Sequence, residues 1–270
     1  VDGLTGTALL VSALRDLGGE PRYYIPNRLD EGYGLTESAL LKINQDGIDL
    51  LITVDCGITA VKESRLAKEL GIDLIVLDHH RPLEELPLAV SLIDPKQEDC
   101  DSSLTGVALT FKLVQRLFEA YGRDPSLALS YLDLVALGTI ADIAPSVGEN
   151  RILIKEGLKA LSGTKRPGLR ALISVAGLEG KGLNVEQVGF IIAPRLNAAG
   201  RLSDPGEALK LLLSDSPEEG KELAQKLNER NAERQRLEKE ILEEALALCE
   251  EIDFEHERVL ILAHPDWHFG

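Results

Sequence analysis

Short apolar runs alternate with longer stretches of helical periodicity over the first hundred residues. Residues 51–54 and 74–77 are continuous, mainly aliphatic runs, as expected of strands covered on both faces. The predicted strands are residues 22–25, 50–54, 74–77 and 89–93. The predicted helices are residues 4–17, 36–44, 59–70 and 106–121. This alternation predicts an α/β fold with a mostly parallel sheet flanked by helices.

The second half of the chain has a different pattern. From about residue 124 to 214 the strand pattern fades, and short helical stretches broken by Gly and Pro follow. Apolar side chains then recur every three or four residues and predict one long helix over 217–258. Its 14 acidic and 7 basic residues indicate a solvated helix that bridges two domains rather than a membrane-surface helix, which needs a basic face. The aliphatic run 259–262 predicts the first strand of a further domain.

Composition restricts the function classes. The net charge of −16 over 270 residues argues against wrapping duplex DNA by charge alone, although a local basic groove is compatible with it. No apolar run has the length of a membrane span, so we expect no membrane partner. Methionine is absent, and we expect the sequence to be a piece of a longer protein. The scattered cysteines Cys56, Cys100 and Cys249 predict reduced thiols in a cytoplasmic protein.

Acids and histidines follow two of the predicted strands. Asp55 follows the run 50–54, and Asp78, His79 and His80 follow the run 74–77. Because parallel strands present their carboxyl ends at one edge of a sheet, we expect these side chains to lie together. An aspartate after a strand can equally cap a turn or a helix, whereas the adjacent histidine pair favours ligation or phosphate binding.

Two further acids complete a candidate metal site. Asp2 precedes the first predicted helix, and Asp142 follows an apolar helical stretch. With Asp55 and His79 they offer carboxylate oxygens and an imidazole, a donor set that suits Mn²⁺ or Mg²⁺ better than a structural zinc. Carboxylates gathered in one crevice repel each other unless cations lie between them.

Phosphate and base contacts have candidates of their own. Arg195, Asn197 and Arg201 lie in one short segment, and guanidinium groups match phosphate oxygens. Surface charge beside a turn is the alternative explanation. Arg28 and Tyr33 lie in a glycine-containing loop after the first predicted strand, where Tyr33 could stack on a base. An ordinary loop explains this segment equally well.

These motifs together resemble those of the DHH phosphoesterase superfamily. The resemblance begins with Asp78-His79-His80 after a strand and Asp55 before Cys-Gly. Stretches 1–7, 31–34, 54–58, 138–145 and 194–201 are similar to its bacterial exonucleases specific for single strands. The resemblance implies a nuclease with two Mn²⁺ or Mg²⁺ ions that degrades single-stranded DNA from the 5′ end. It further implies release of 5′-mononucleotides, a role in DNA repair and recombination, and a monomer with a helicase or a single-strand-binding protein as a candidate partner.

The resemblance also implies roles for the site residues. The metal ligands would be Asp2, Asp55, His79 and Asp142, with Asp55 bridging the two ions and Asp78 supporting the ligands. His80 would support the site or contact the phosphate. The scissile phosphate would lie near Arg195, Asn197 and Arg201, with Arg195 assisting the reaction.

The implied domains are a DHH catalytic domain over residues 1–190, a phosphate-contact segment with the connecting helix over 191–257, and the start of a truncated DHHA1-like domain over 258–270. Two alternatives stay open. One is a DHH phosphoesterase for short oligonucleotides or cyclic dinucleotides, and the other is a replication scaffold of the same fold without activity. The presence of all four proposed ligands favours catalysis.

Overall fold

The described residues contain a small parallel sheet of three strands. The computed structural model describes residues 1–27, 31–97, 103–202, 204, 206–249, 259–265 and 267. Its strands are β1 (Leu50–Val54), β2 (Asp73–Leu77) and β3 (Ser91–Ile93), in the order β1-β2-β3. All pairs are parallel, with Val54 opposite Leu77 and Leu77 opposite Ile93. The three strands therefore end at one edge of the sheet.

Helices make up most of the remaining structure. Three of them come before the end of the sheet: α1 (Asp2–Asp16), α2 (Glu37–Gln45) and α3 (Val61–Glu69). The helices after the sheet are α4 (Gly106–Ala120), α5 (Leu132–Ala141), α6 (Gly148–Ser162), α7 (Pro167–Val175), α8 (Val185–Gln187), α9 (Ala193–Leu202), α10 (Gly206–Leu213) and α11 (Pro217–Cys249). A π-helical turn, Val188–Ile192, joins α8 to α9. Within the described ranges, no helix has both the length and the apolar character needed to cross a bilayer.

The core is centred on α5. Every residue from Asp133 to Ile140 is buried, so this helix is surrounded by protein on all sides. Helix α1 packs against both α4 and α5. Gly138 permits this close approach, because a Cβ at that position would collide with Thr5 Oγ1 and lie 2.8 Å from Val107 Cγ1. The packing brings the start of α1 and the start of α4 to the carboxyl edge of the sheet.

The architecture confirms the predicted α/β class, with two strand predictions corrected. Residues 22–25 do not pair in the sheet. Tyr24 instead donates a hydrogen bond from its hydroxyl to Glu31, and Ile25 packs on the core. Residues 259–262 form no strand either, and Val259 and Ile261 are exposed. Neither segment has a neighbouring strand among the described residues to complete a ladder, in spite of its β-forming composition.

The long helix is present as predicted over Pro217–Cys249, and residues 250–258 lie outside the described part of the chain. The predicted helices 4–17, 36–44, 59–70 and 106–121 correspond to α1, α2, α3 and α4. Each predicted end differs from the observed end by at most two residues. The division at residue 190 stays a prediction.

Candidate metal centre

The carboxyl ends of β1 and β2 place Asp55 beside Asp78. The Asp55 amide donates to the carbonyl of Leu77 at 2.9 Å, which continues the ladder one residue past the strand. At φ 62° the Asp55 backbone then enters the left-handed region, which aspartate tolerates better than most residues. From this turn the side chain of Asp55 reaches the Gly3 amide of α1 and Nε2 of His79.

Backbone amides at two helix N-termini bind the carboxylates of Asp55 and Asp2. The Gly3 amide of α1 donates to Asp55 Oδ2 at 2.9 Å. The Gly106 and Val107 amides of α4 donate to the two oxygens of Asp2 at 2.7 and 2.9 Å. These amides have no partner within their own helices, and the helix dipole favours a negative charge there. Both acids are therefore fixed in place by the backbone.

His79 joins the carboxylates at their centre. Its Nε2 lies 3.0 Å from Asp55 Oδ1 and 3.5 Å from Asp2 Oδ2. Asp142, which follows α5 directly, has its Oδ2 3.9 Å from the same nitrogen. These side chains form two groups whose ligand atoms lie within 4.8 Å of one another and could share an ion. One group is Asp2, His79 and Asp142, and the other is Asp55, His79 and His80. The structure thus brings the four predicted ligands together.

The carboxylate of Asp78 orients His79 and His80 through hydrogen bonds. It is buried, and its Oδ1 accepts hydrogen bonds from the His79 amide at 2.8 Å and from His80 Nδ1 at 2.7 Å. Its Oδ2 accepts from the Ile58 amide at 2.9 Å. The side chain of His80 is 48% exposed, so its remaining ring nitrogen is available to a ligand. Asp78 therefore supports the site, and His80 faces its open side.

Burial and mutual repulsion shift the pKa values of these groups. Burial, helped by the charge of Asp55, raises the pKa of Asp2 to about 7. Burial lowers the pKa of His79, but the hydrogen bond with Asp55 and the charges of the surrounding acids outweigh it, and the net shift is upward. Burial also raises the pKa of Asp142. These raised pKa values mean that protons compete with a divalent cation for the same positions.

A feature that the sequence did not reveal is the tight contact at the start of α4. A Cβ on Gly106 would lie 2.9 Å from Asp55 Cβ and 3.0 Å from Asp2 Oδ2. Only glycine lets the helix start approach both carboxylates this closely. Thr105, whose side chain caps α4, is the local sign of a helix start. The hydrogen bonds from the first amides of α4 to Asp2, over a hundred residues earlier in the chain, have no local signal in the sequence.

The predicted phosphate segment lies in α9. Arg195, in α9, donates from Nε to Asn228 Oδ1 of α11 at 2.9 Å and from Nη1 to the Ile191 carbonyl at 2.5 Å. Burial lowers its pKa. Asn197 is half-buried in the same helix. The side chain of Arg201 and the whole of Arg28 lie outside the described residues.

Tyr33 lies beside the cluster. Its hydroxyl donates to the Asp55 carbonyl at 3.0 Å, and 59% of the residue is exposed. Together with Gly57, Glu63 and His80 it lines a cavity of about 370 Å³. The ring is therefore placed where it can meet a ligand that also contacts His80.

Solved structures and curated proteins resemble this chain throughout. A crystal structure of exonuclease RecJ bound to manganese matches it with a TM-score of 0.85 and 42% identity, covering 92% of this chain and 63% of that one. A structure of RecJ in complex with Mn²⁺ from Thermus thermophilus gives 0.82 and 39%, covering 93% and 36%. The single-stranded-DNA-specific exonuclease RecJ of Bacillus subtilis is 40% identical over 272 residues.

That last match covers 100% of this chain and 34% of the relative, so the chain spans about a third of the length of the Bacillus protein. The family described as the DHH family, N-terminal domain, matches residues 1–139. This region holds Asp2, Asp55 and the Asp78-His79-His80 motif. The chain therefore belongs to the DHH family.

Proposed function

We propose that this chain holds the catalytic site of a metal-dependent phosphodiester hydrolase. Its substrate would be single-stranded DNA, degraded in the 5′ to 3′ direction with release of 5′-mononucleotides in DNA repair and recombination. The convergence of Asp2, Asp55 and Asp142 on His79 Nε2 carries the proposal. The names of the relatives support the substrate class.

The donor set fits divalent ions. Three carboxylates and two imidazoles form two overlapping groups that share His79, and Mn²⁺ or Mg²⁺ accepts such ligands. No thiolate belongs to either group, which disfavours structural zinc. We infer that Asp2, Asp55, His79 and Asp142 would hold two such ions. The relatives solved with Mn²⁺ support a divalent ion as the cofactor.

Several residues of the site would then have a role in hydrolysis. Bound divalent ions supply Lewis acidity to the phosphoryl oxygens and make water a better nucleophile. The backbone amides at the starts of α1 and α4 keep the carboxylates of Asp55 and Asp2 oriented before substrate arrives. Asp78 fixes the Nδ1–H of His80, which leaves the other ring nitrogen to contact a phosphate oxygen or hold a proton there.

The substrate enters from the exposed side of the cluster. Asp142 and His80 are the exposed members, whereas Asp2 is buried. We infer that the base of a nucleotide stacks on Tyr33 in the adjacent cavity. Arg28, Arg195, Asn197 and Arg201 are the proposed phosphate contacts. The wider setting that we infer is a monomer in the cytoplasm, with a helicase or a single-strand-binding protein as the partner class for single-stranded substrates.

End-labelled DNA tests the proposal. With Mn²⁺, a single-stranded oligonucleotide labelled at the 5′ end should release its label at once as a mononucleotide, whereas a 3′ label should pass through a ladder of shortening products. The same sequence as a blunt duplex should resist. Faster hydrolysis of a dinucleotide or a cyclic dinucleotide would indicate another DHH phosphoesterase. Absence of both metal binding and cleavage would indicate a scaffold.

Mn²⁺ affinity should rise with pH between about 6 and 8. The ion requires ionised Asp2, whose pKa is about 7 in the metal-free protein, and neutral His79, whose pKa is raised. Protons therefore compete with the ion and are released when it binds. Titration calorimetry at pH 6.5 in two buffers of different ionisation enthalpy should reveal this release. An affinity that is independent of pH would contradict the assignment of these two ligands.

Thermal stability should also report the competition between protons and Mn²⁺. Because the folded-state pKa values of Asp2 and His79 are raised, their protonation stabilises the metal-free protein at low pH, and this contribution is lost as pH rises through about 7. Mn²⁺ should replace that contribution. The increase in melting temperature on adding Mn²⁺ should thus be larger at pH 8 than at pH 6, and an equal increase at both would oppose the account.

A further inference from the structure

Arg195 is a half-buried cation without an acidic partner in the described part of the chain. Its Nε and Nη1 donate to uncharged oxygens, Asn228 Oδ1 and the Ile191 carbonyl. No carboxylate among the described residues forms an ion pair with it, and its Nη2 makes no hydrogen bond there. A guanidinium that is partly removed from water without a counter-charge favours an anion supplied from outside.

The backbone around Arg195 is shaped to hold this geometry. Pro194 has no amide hydrogen, and its ring crowds the carbonyl of Phe190 one turn earlier. The widened π-helical turn Val188–Ile192 lies at this point, as such turns do at functional sites. Gly189 in this turn faces the side chain of Ile140, which lies two residues before Asp142. The turn therefore connects Arg195 to the end of the helix that presents a proposed ligand.

We propose that Asn228 of α11 is a positioning residue that orients Arg195 toward a phosphate of the substrate. Its amide oxygen fixes the Nε edge of the guanidinium, and the Ile191 carbonyl fixes one terminal nitrogen, so Nη2 is left for the anion. The long helix thereby takes part in substrate binding. This inference rests on the proposed function for the identity of the ligand, and on the two hydrogen bonds for the role of Asn228.

A double-mutant cycle in binding tests it. The probe is a fluorescent single-stranded oligonucleotide, titrated by anisotropy with Ca²⁺ in place of Mn²⁺ to slow cleavage. Asn228→Leu, which keeps the size but removes the acceptor, should weaken binding about tenfold, as expected for a lost hydrogen bond to a charged group. Arg195→Ala should weaken it at least as much. The double variant should bind no more weakly than Arg195→Ala alone, since Asn228 acts only through Arg195.

Matched measurements separate positioning from general damage. Gln225→Leu makes the same kind of change on the exposed face of α11 and should leave binding unchanged. Mn²⁺ affinity should be unchanged in Asn228→Leu. If the effects of Asn228→Leu and Arg195→Ala multiply in the double variant, Asn228 acts independently and the inference is wrong.

The experiment distinguishes failure of the positioning role from failure of the proposed function. If the wild-type chain binds the oligonucleotide with the expected cycle but does not cleave it with Mn²⁺, the positioning role stands and the nuclease assignment fails. If the wild type cleaves but Asn228→Leu binds and cleaves normally, the nuclease assignment stands and the positioning role fails. If the wild type does not bind the oligonucleotide, both are overturned.

Discussion

Replacing Asp55 with asparagine should lower the affinity of the chain for Mn²⁺ by roughly 100-fold or more and abolish Mn²⁺-dependent cleavage of single-stranded DNA. Asparagine has the shape of aspartate and keeps an oxygen to accept from the Gly3 amide, so the fold should persist. It loses the negative charge that faces His79 at 3.0 Å. Titration calorimetry with Mn²⁺ and gel analysis of end-labelled DNA measure the two effects.

The matched control for this substitution lies at the other end of the sheet. Asp73 is the exposed first residue of β2, and Asp73→Asn removes one negative charge far from the carboxyl edge. It should bind Mn²⁺ and cleave DNA as the wild type does. Equal losses in the two variants would mean that net charge, rather than ligation by Asp55, governs metal affinity. Wild-type affinity in Asp55→Asn would remove Asp55 from the site.

The second large effect should come from Gly106→Ala. The added methyl group would lie 2.9 Å from Asp55 Cβ and 3.0 Å from Asp2 Oδ2, so α4 or both carboxylates must shift. Such overpacking costs about 1–3 kcal/mol of stability. Displacing the amides that orient Asp2 should also weaken Mn²⁺ binding by roughly 10-fold or more, the scale of losses when groups that orient ligands are changed.

Chemical denaturation and Mn²⁺ titration of the same preparation measure both consequences. Gly182→Ala is the control, because a Cβ there meets no atom within 4 Å and should alter neither quantity. A Gly106→Ala protein that loses stability but binds Mn²⁺ normally would show that the start of α4 supports the fold without orienting the ligands.

The strand-end chemistry was accessible from the sequence because its determinants are local. An aliphatic run followed by an acid specifies a buried strand and a polar end, and parallel pairing then brings Asp55 and Asp78 to one edge. His79 and His80 directly follow Asp78, so the strand prediction also placed them at the same edge of the sheet. The amphipathic spacing of the helices was equally local.

What the sequence could not provide were contacts between distant segments. The amides that hold Asp2 begin at Gly106, and the partner of Arg195 is Asn228 on another helix. Neither pairing has a periodic or compositional signal. The strand predicted at residues 22–25 failed for a related reason, since a β-forming run becomes a strand only where another strand pairs with it.

Anomalous diffraction at the manganese edge from crystals grown with Mn²⁺ tests the central claim most directly. The account predicts two peaks at the carboxyl edge of the sheet, both within coordination distance of Asp55, with His79 and the carboxylates of Asp2 and Asp142 completing their ligands. Peaks confined to other parts of the surface, or no peak beside His79 at saturating Mn²⁺, would contradict it.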